Sequence, residues 1–352
     1  MEREWDYLIH LIRCAIHDIP PEEVPADVDL QRVYECGAYH HVANLAFYSV
    51  ERLKNPPSDE LYNIWQSNRD KALVLDFNQS FAADEIRDAF GNENIQWLEL
   101  QGTMIKPLYP QPEYRTMSDI DFIVEKENLL PAGEILESLG YSTQLIRNQE
   151  IVAFREPNIN VEIHSQYFED SIYNNAMREP IKYEWDVETF YLYNILHIAK
   201  HYRYGGCGIR RVLDAYMLSR AYGENVDPMQ LLEKPEDREF AAELLELANA
   251  WFGEGKSVRS QMAHYILYSG THGNQYNELQ NRLDNQPELG IKYILRRILG
   301  DKQAMHISYP ILERYKILYP FCWLHRGLCA MLPRKQKRLK REFLAIRNHR
   351  SE

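Results

Sequence analysis

An apolar run interrupted by two acids, Met117-Ser118-Asp119-Ile120-Asp121-Phe122-Ile123-Val124, constrains this chain more than any other feature. Successive side chains of a strand point to opposite faces and the backbone rises about 3.3 Å per residue, which sets Asp119 and Asp121 on one face roughly 6 to 7 Å apart at Cα. Ile120, Phe122 and Val124 then point to the other face, so the segment reads as a buried strand with one polar side. Buried carboxylates are costly unless paired. Two of them on one face suit a hard divalent cation such as Mg²⁺ (or Mn²⁺), which keeps several waters and is held by one or two carboxylates together with substrate phosphates.

The flanking residues extend this reading. Ile95, Leu98 and Leu100 form a short strand ending at Gly102, where the lack of a Cβ lets a phosphate approach the backbone; Thr103 adds a hydroxyl. A short helix over Met104 to Leu108 would turn its free N–H groups toward the same anion. Downstream, a helix is expected over 127–139 with Gly140 as its stop, then two strands over 144–154 and 160–167, with Glu156-Pro157-Asn158 as a turn. On the last strand Asn160, Glu162 and His164 share one face, which makes Glu162 the natural third carboxylate. His164 reads as a site-lining group or, preferably, as a satisfied strand histidine. Arg115 fits either phosphate neutralisation or the surface of a Pro-rich loop, Lys106 is equally open, and Ser118 is a turn residue beside the acids. Together these pieces fit a nucleoside triphosphate with its metal.

Gly102-Thr103, Leu108-Tyr109-Pro110, Arg115, Met117-Ser118-Asp119-Ile120-Asp121 and Val161-Glu162-Ile163-His164 resemble a bacterial family of uncharacterised nucleotidyltransferases within the polymerase-beta-like superfamily. Gln101 stands where that family often has lysine, and the stretch 104–118 between Thr103 and Asp119 is longer than in many superfamily members. The resemblance implies Asp119, Asp121 and Glu162 as catalytic and metal-holding residues in a two-metal arrangement, with Gly102, Thr103, Ser118 and Arg115 binding nucleotide. It implies transfer of a nucleoside monophosphate from a triphosphate to a hydroxyl or phosphate acceptor. Two other readings share the fold: a catalytically silent nucleotide-binding or protein-interaction module, and a protein adenylyltransferase.

The 352 residues suffice for two or three domains. The expected fold is α/β (α+β): helices over 1–92, a small mixed-sheet core over 93–184, and a mainly helical region with a basic tail over 185–352. Net charge of -12 argues against a broad nucleic-acid surface, so the acceptor is expected to be a small molecule. Five scattered cysteines without a paired CxxC fit reduced thiols and a cytoplasmic setting. The N-terminal segment carries Trp5, Leu8, Ile9, Ile12 and Ile16 at helical spacing, a packing helix rather than a signal peptide. Further helices are expected over 30–53, 58–90 and 185–202. Adjacent His40 and His41 point to different sides of a helix and carry no assigned role. His197 and His201 have the i,i+4 spacing that zinc uses, but a packing or substrate-facing role is preferred. No segment is apolar enough to span a membrane. The basic stretch 333–350, preceded by aromatic residues, suits contact with an anionic membrane surface, against the simpler reading of a solvated basic helix.

Overall fold

Burial alternates residue by residue along the strand Ile159–His164: Ile159, Val161 and Ile163 are buried while Asn160, Glu162 and His164 are half-buried. That period of two means that one face is packed and the other is open to a site. In the computed structural model, which describes residues 2–146, 149–167, 184–271, 315 and 318–323, this strand lies near the middle of a five-stranded sheet. The strands are β1 (Trp97–Glu99), β2 (Ile120–Val124), β3 (Ser142–Ile146), β4 (Glu150–Arg155) and β5 (Ile159–His164), in the order β1-β2-β5-β4-β3. Only β2 and β5 run parallel; the other pairings are antiparallel.

The packed face is built by two helices. One is the helix Asp59–Asn92, started by Ser58, whose side chain accepts from the Leu61 N–H, and by Asp59 and Glu60 in the first turn. Its Ala82, Ala83, Ile86 and Phe90 recur at helical spacing and meet Ile120, Phe122 and Val124 of β2 and Val161 and Ile163 of β5. The second helix, Leu129–Ser138, adds Leu129, Ala132 and Leu136 to the same core. The mixed sheet with helical flanks is the architecture expected from the sequence.

Two expected elements are each divided. The strand expected over 144–154 is a hairpin of β3 and β4, and the Gln149 N–H returns to the Ile146 carbonyl at 3.0 Å. The helix expected over 30–53 is two helices, Leu30–Tyr39 and Ala43–Val50. His41 between them has φ 52°, the left-handed region that a continuous helix does not visit. At the turn after β4 the Glu156-Pro157 bond is cis and Asn158 has φ 60°. Later helices include Val187–Tyr204, Ile209–Tyr222, Pro235–Ala248 and Gln261–Ser269.

Contacts divide the chain into two units: Met1–Lys200 with Cys207–Thr271, and His201–Gly206 with His272–Glu352. The first holds the sheet and the helices around it. In the second, Leu318 and Tyr319 pack on the buried Cys322. The basic stretch 333–350 lies outside the described residues. The four described cysteines, Cys14, Cys36, Cys207 and Cys322, are buried and unbridged. No described helix is long and apolar enough to cross a membrane.

Candidate active site

Parallel pairing of β2 and β5 sets Asp121 directly beside Glu162 and Ile123 beside His164. Because side chains alternate, Asp121, Glu162 and His164 all leave the face opposite the apolar core. His164 Nε2 lies 3.2 Å from Asp121 Oδ1 and 3.7 Å from Glu162 Oε2. Among the described residues, these three form the His/Cys/Asp/Glu group able to converge on one ion, with ligand atoms within 4.8 Å of one another. Oxygen and nitrogen donors at this separation fit a divalent cation.

Asp119 lies just before β2, outside that converging set. Its carboxylate accepts from the Ser118 hydroxyl at 3.0 Å. Burial raises its pKa, and the neighbouring Asp121 charge adds to the rise, against Ser118, Arg211 and Arg115, which lower it. Glu162 is raised to about 7 by burial and then by the Asp119 and Asp121 charges. Burial opposes protonation of His164, but the bond to Asp121 and the charges of Asp121, Glu150 and Glu162 outweigh it and raise its pKa.

The turn between β1 and β2 carries the other residues expected at the site. Gln101, with φ 45°, begins the short helix Gln101–Ile105, which continues as a 3₁₀ turn Lys106–Leu108. It therefore starts three residues earlier than expected. A Cβ on Gly102 would fall 2.3 Å from Met117 Sδ and 2.7 Å from its Cγ, so a larger residue there would force the Met117 side chain to shift. The Thr103 hydroxyl donates to the Leu100 carbonyl at 3.2 Å. Lys106 is buried and paired with Asp76. Ser118 is exposed, and its carbonyl accepts from Asn160 Nδ2 at 3.1 Å.

Arg115 is buried, not on the surface of a Pro-rich loop. Its Nε and Nη2 reach the two oxygens of Asp214 at 3.1 and 2.9 Å, and the Tyr109 hydroxyl donates to the same carboxylate at 2.7 Å. Asp214 sits on the helix Ile209–Tyr222 together with Arg210 and Arg211. Arg210 Nη1 donates to the Thr116 carbonyl at 2.8 Å, while its buried Nε has no hydrogen-bond partner. Burial and the adjacent Arg115 and Arg211 charges pull Arg210 down to about 9. Arg211 reaches Gln101 Oε1 at 3.4 Å and lowers the Asp119 pKa. Three guanidinium groups thus cluster about one acid beside Asp119. Arg210 and Arg211 share a helix with Asp214, and no local signal in the sequence ties that helix to the turn that carries Arg115.

Trp185 Nε1 donates to the Glu99 carbonyl at 2.7 Å, and the rings of Tyr167, Trp185 and Tyr193 pack at a tilt with centroids 5.3 to 6.0 Å apart. Buried His197 lies 5.8 Å from the Tyr193 ring, and neither it nor His201 belongs to the converging set. His40 is fully buried. It is held between the Ile209 N–H and the Leu267 carbonyl, a packing role for a residue that the sequence left unassigned.

The family described as "uncharacterised nucleotidyltransferase" matches residues 26–253, a span that includes both acid-bearing strands and the Asp214 helix. No curated protein matches the chain. With well over half of its length matched, the chain belongs to the uncharacterised nucleotidyltransferase family.

Proposed function

We propose that this protein transfers a nucleoside monophosphate from a nucleoside triphosphate to a hydroxyl or phosphate group of a small molecule. The observation that carries the reading is the register of β2 and β5, which brings Asp121 and Glu162 side by side on the open face of the sheet with Asp119 just ahead of them. Family membership supports nucleotidyl transfer and a triphosphate donor.

In this reading the acceptor oxygen attacks the α-phosphorus, the bond to the bridging oxygen breaks, and pyrophosphate departs with the electron pair. Asp119 and Asp121 orient the triphosphate, while Glu162 acts on the acceptor side, holding its hydroxyl in line and drawing off its proton. Bound Mg²⁺ or Mn²⁺ would neutralise phosphate charge and polarise the reacting oxygens. Gly102, Thr103 and Ser118 border the phosphate position. Arg115 holds Asp214 and contributes positive charge near Asp119, with Arg211 a further source of that charge. The fixed charges stand ready before substrate arrives, which is how electrostatic stabilisation lowers a barrier without reorganisation.

The test is a screen of small-molecule extract with α-labelled triphosphates, scored for metal-dependent appearance of a labelled product with stoichiometric pyrophosphate. Label on a protein instead of a small molecule would move the acceptor to the adenylyltransferase class. Absence of turnover with every triphosphate and acceptor pool would favour the silent module.

A further inference from the structure

Of the three side chains that converge on the open face, His164 is the one nitrogen donor. It stands at the end of β5, paired with Ile123 of β2 on one side and Glu150 of β4 on the other. Strand alternation puts it on the Glu162 face, two residues on, so its ring hangs over the same space as the two carboxylates. The distances approach those of ligands on one ion. With metal bonds of roughly 2.1 Å, neighbouring ligands of an octahedral or tetrahedral ion lie about 3 to 3.5 Å apart. His164 Nε2 is 3.2 Å from Asp121 Oδ1 and 3.7 Å from Glu162 Oε2. The group is also partly shielded: the Asp121 side chain is 7% exposed, that of His164 21% and that of Glu162 30%.

We infer that His164 supplies a nitrogen ligand to the metal position it shares with Asp121 and Glu162, and that this position therefore favours first-row transition ions over Mg²⁺. The inference rests on the proposed metal-dependent site and deepens it. An all-oxygen set suits Mg²⁺, which accepts imidazole poorly, whereas imidazole suits the transition ions. Asp119, outside the converging set, remains with Asp121 for the triphosphate side. The two metal positions thus differ in donor chemistry, one all oxygen and one mixed.

The probe is Mn²⁺ bound to the full-length protein, read by pulsed electron paramagnetic resonance. Wild-type protein should show nitrogen coupling to bound Mn²⁺, and the coupling should change to that of ¹⁵N in protein labelled with ¹⁵N-histidine, which needs no variant. His164→Gln should lose the coupling and weaken Mn²⁺ binding by about tenfold or more, with Mg²⁺ affinity changed far less. Bound Mn²⁺ without nitrogen coupling, or equal loss of Mn²⁺ and Mg²⁺ in a folded His164→Gln protein, overturns the inference and leaves the carboxylate site standing. Failure of wild-type protein to bind Mn²⁺ even with triphosphate present overturns both.

Discussion

Arg115 and Asp214, one in the turn before β2 and the other on the helix Ile209–Tyr222, meet in a two-armed ion pair with side chains 4% and 0% exposed. Burial works against the Asp214 carboxylate, but Arg115, Arg211 and the Tyr109 hydroxyl outweigh it and hold its pKa below the usual range. This pair ties the segment leading into the acids to the helical part of the same unit. Its removal from one side leaves a buried charge, so Asp214→Ala should lower the unfolding free energy by about 3 to 5 kcal/mol. The double replacement Arg115→Met, Asp214→Leu should lose less, because Arg115 is then not left buried without its acid, although Arg210 and Arg211 still lose a counter-charge. Urea denaturation of the single and double variants measures the difference; equal losses would contradict it.

His40 makes a pH prediction of definite sign. Its Nδ1 accepts from the Ile209 N–H at 3.1 Å, which leaves Nε2 to carry the proton and donate to the Leu267 carbonyl at 3.1 Å. Burial first, then the nearby His41, lowers its pKa to about 4, with the bond to Leu267 opposing. The folded chain therefore stays neutral here where the unfolded chain takes up a proton. Stability from this group is complete above about pH 6.5 and is lost as the pH falls toward 4, by about 3 kcal/mol in all. His40→Gln should be less stable than wild type at pH 7.5, with the gap narrowing by pH 4.5. A constant gap in denaturation midpoints, at unchanged slope, would count against the neutral histidine.

Gly102 is a packing test of the turn that borders the site. Its missing Cβ position is already occupied by Met117 Sδ and Cγ, so Gly102→Ala should cost about 1 to 3 kcal/mol. Met117→Ala added to it should restore part of the loss specific to the collision. If Gly102→Ala is neutral in thermal denaturation, Met117 moves freely and the turn is looser than its contacts imply.

The polar and apolar faces of β2 and β5 were legible in the sequence because a strand's period of two is local: Ile120, Phe122 and Val124 announce a core face, and Asp121 and Glu162 the other. Their register was not legible. Nothing in either segment says that Asp121 pairs with Glu162 rather than with Asn160, since register depends on the whole sheet and the helices over it. The Gly102 and Arg115 motif positions were found, but their partners Met117 and Asp214 were not, because side-chain packing and a contact across 99 residues leave no periodic trace. The break at His41 escaped for a related reason: the left-handed turn serves a histidine whose partners, Ile209 and Leu267, are remote in sequence. His164 reads by preference as a satisfied strand histidine, and its hydrogen bond to Asp121 fits that reading; its place beside Glu162, set by the sheet register, is what carries the proposed metal role.

Glu162→Gln separates a transferase from a retained scaffold. Glu162 is assigned to the acceptor side, so its amide should keep triphosphate binding within a few-fold while transfer falls by roughly 10²- to 10⁴-fold. Both quantities are to be measured on the same preparation, turnover as release of pyrophosphate once an acceptor or slow hydrolysis is found. Unchanged turnover would remove Glu162 from the mechanism.

Metal-dependent triphosphate binding at Asp119 and Asp121 is the claim on which the rest depends, and calorimetry tests it without knowledge of the acceptor. Triphosphate is titrated into wild-type, Asp119→Asn and Asp121→Asn protein, with Mg²⁺ or Mn²⁺ and again with chelator. Wild-type binding should weaken by about tenfold or more when the cation is removed, and each variant should bind weakly whether or not metal is present. Equal triphosphate affinity with metal and with chelator in the wild-type protein would contradict the account.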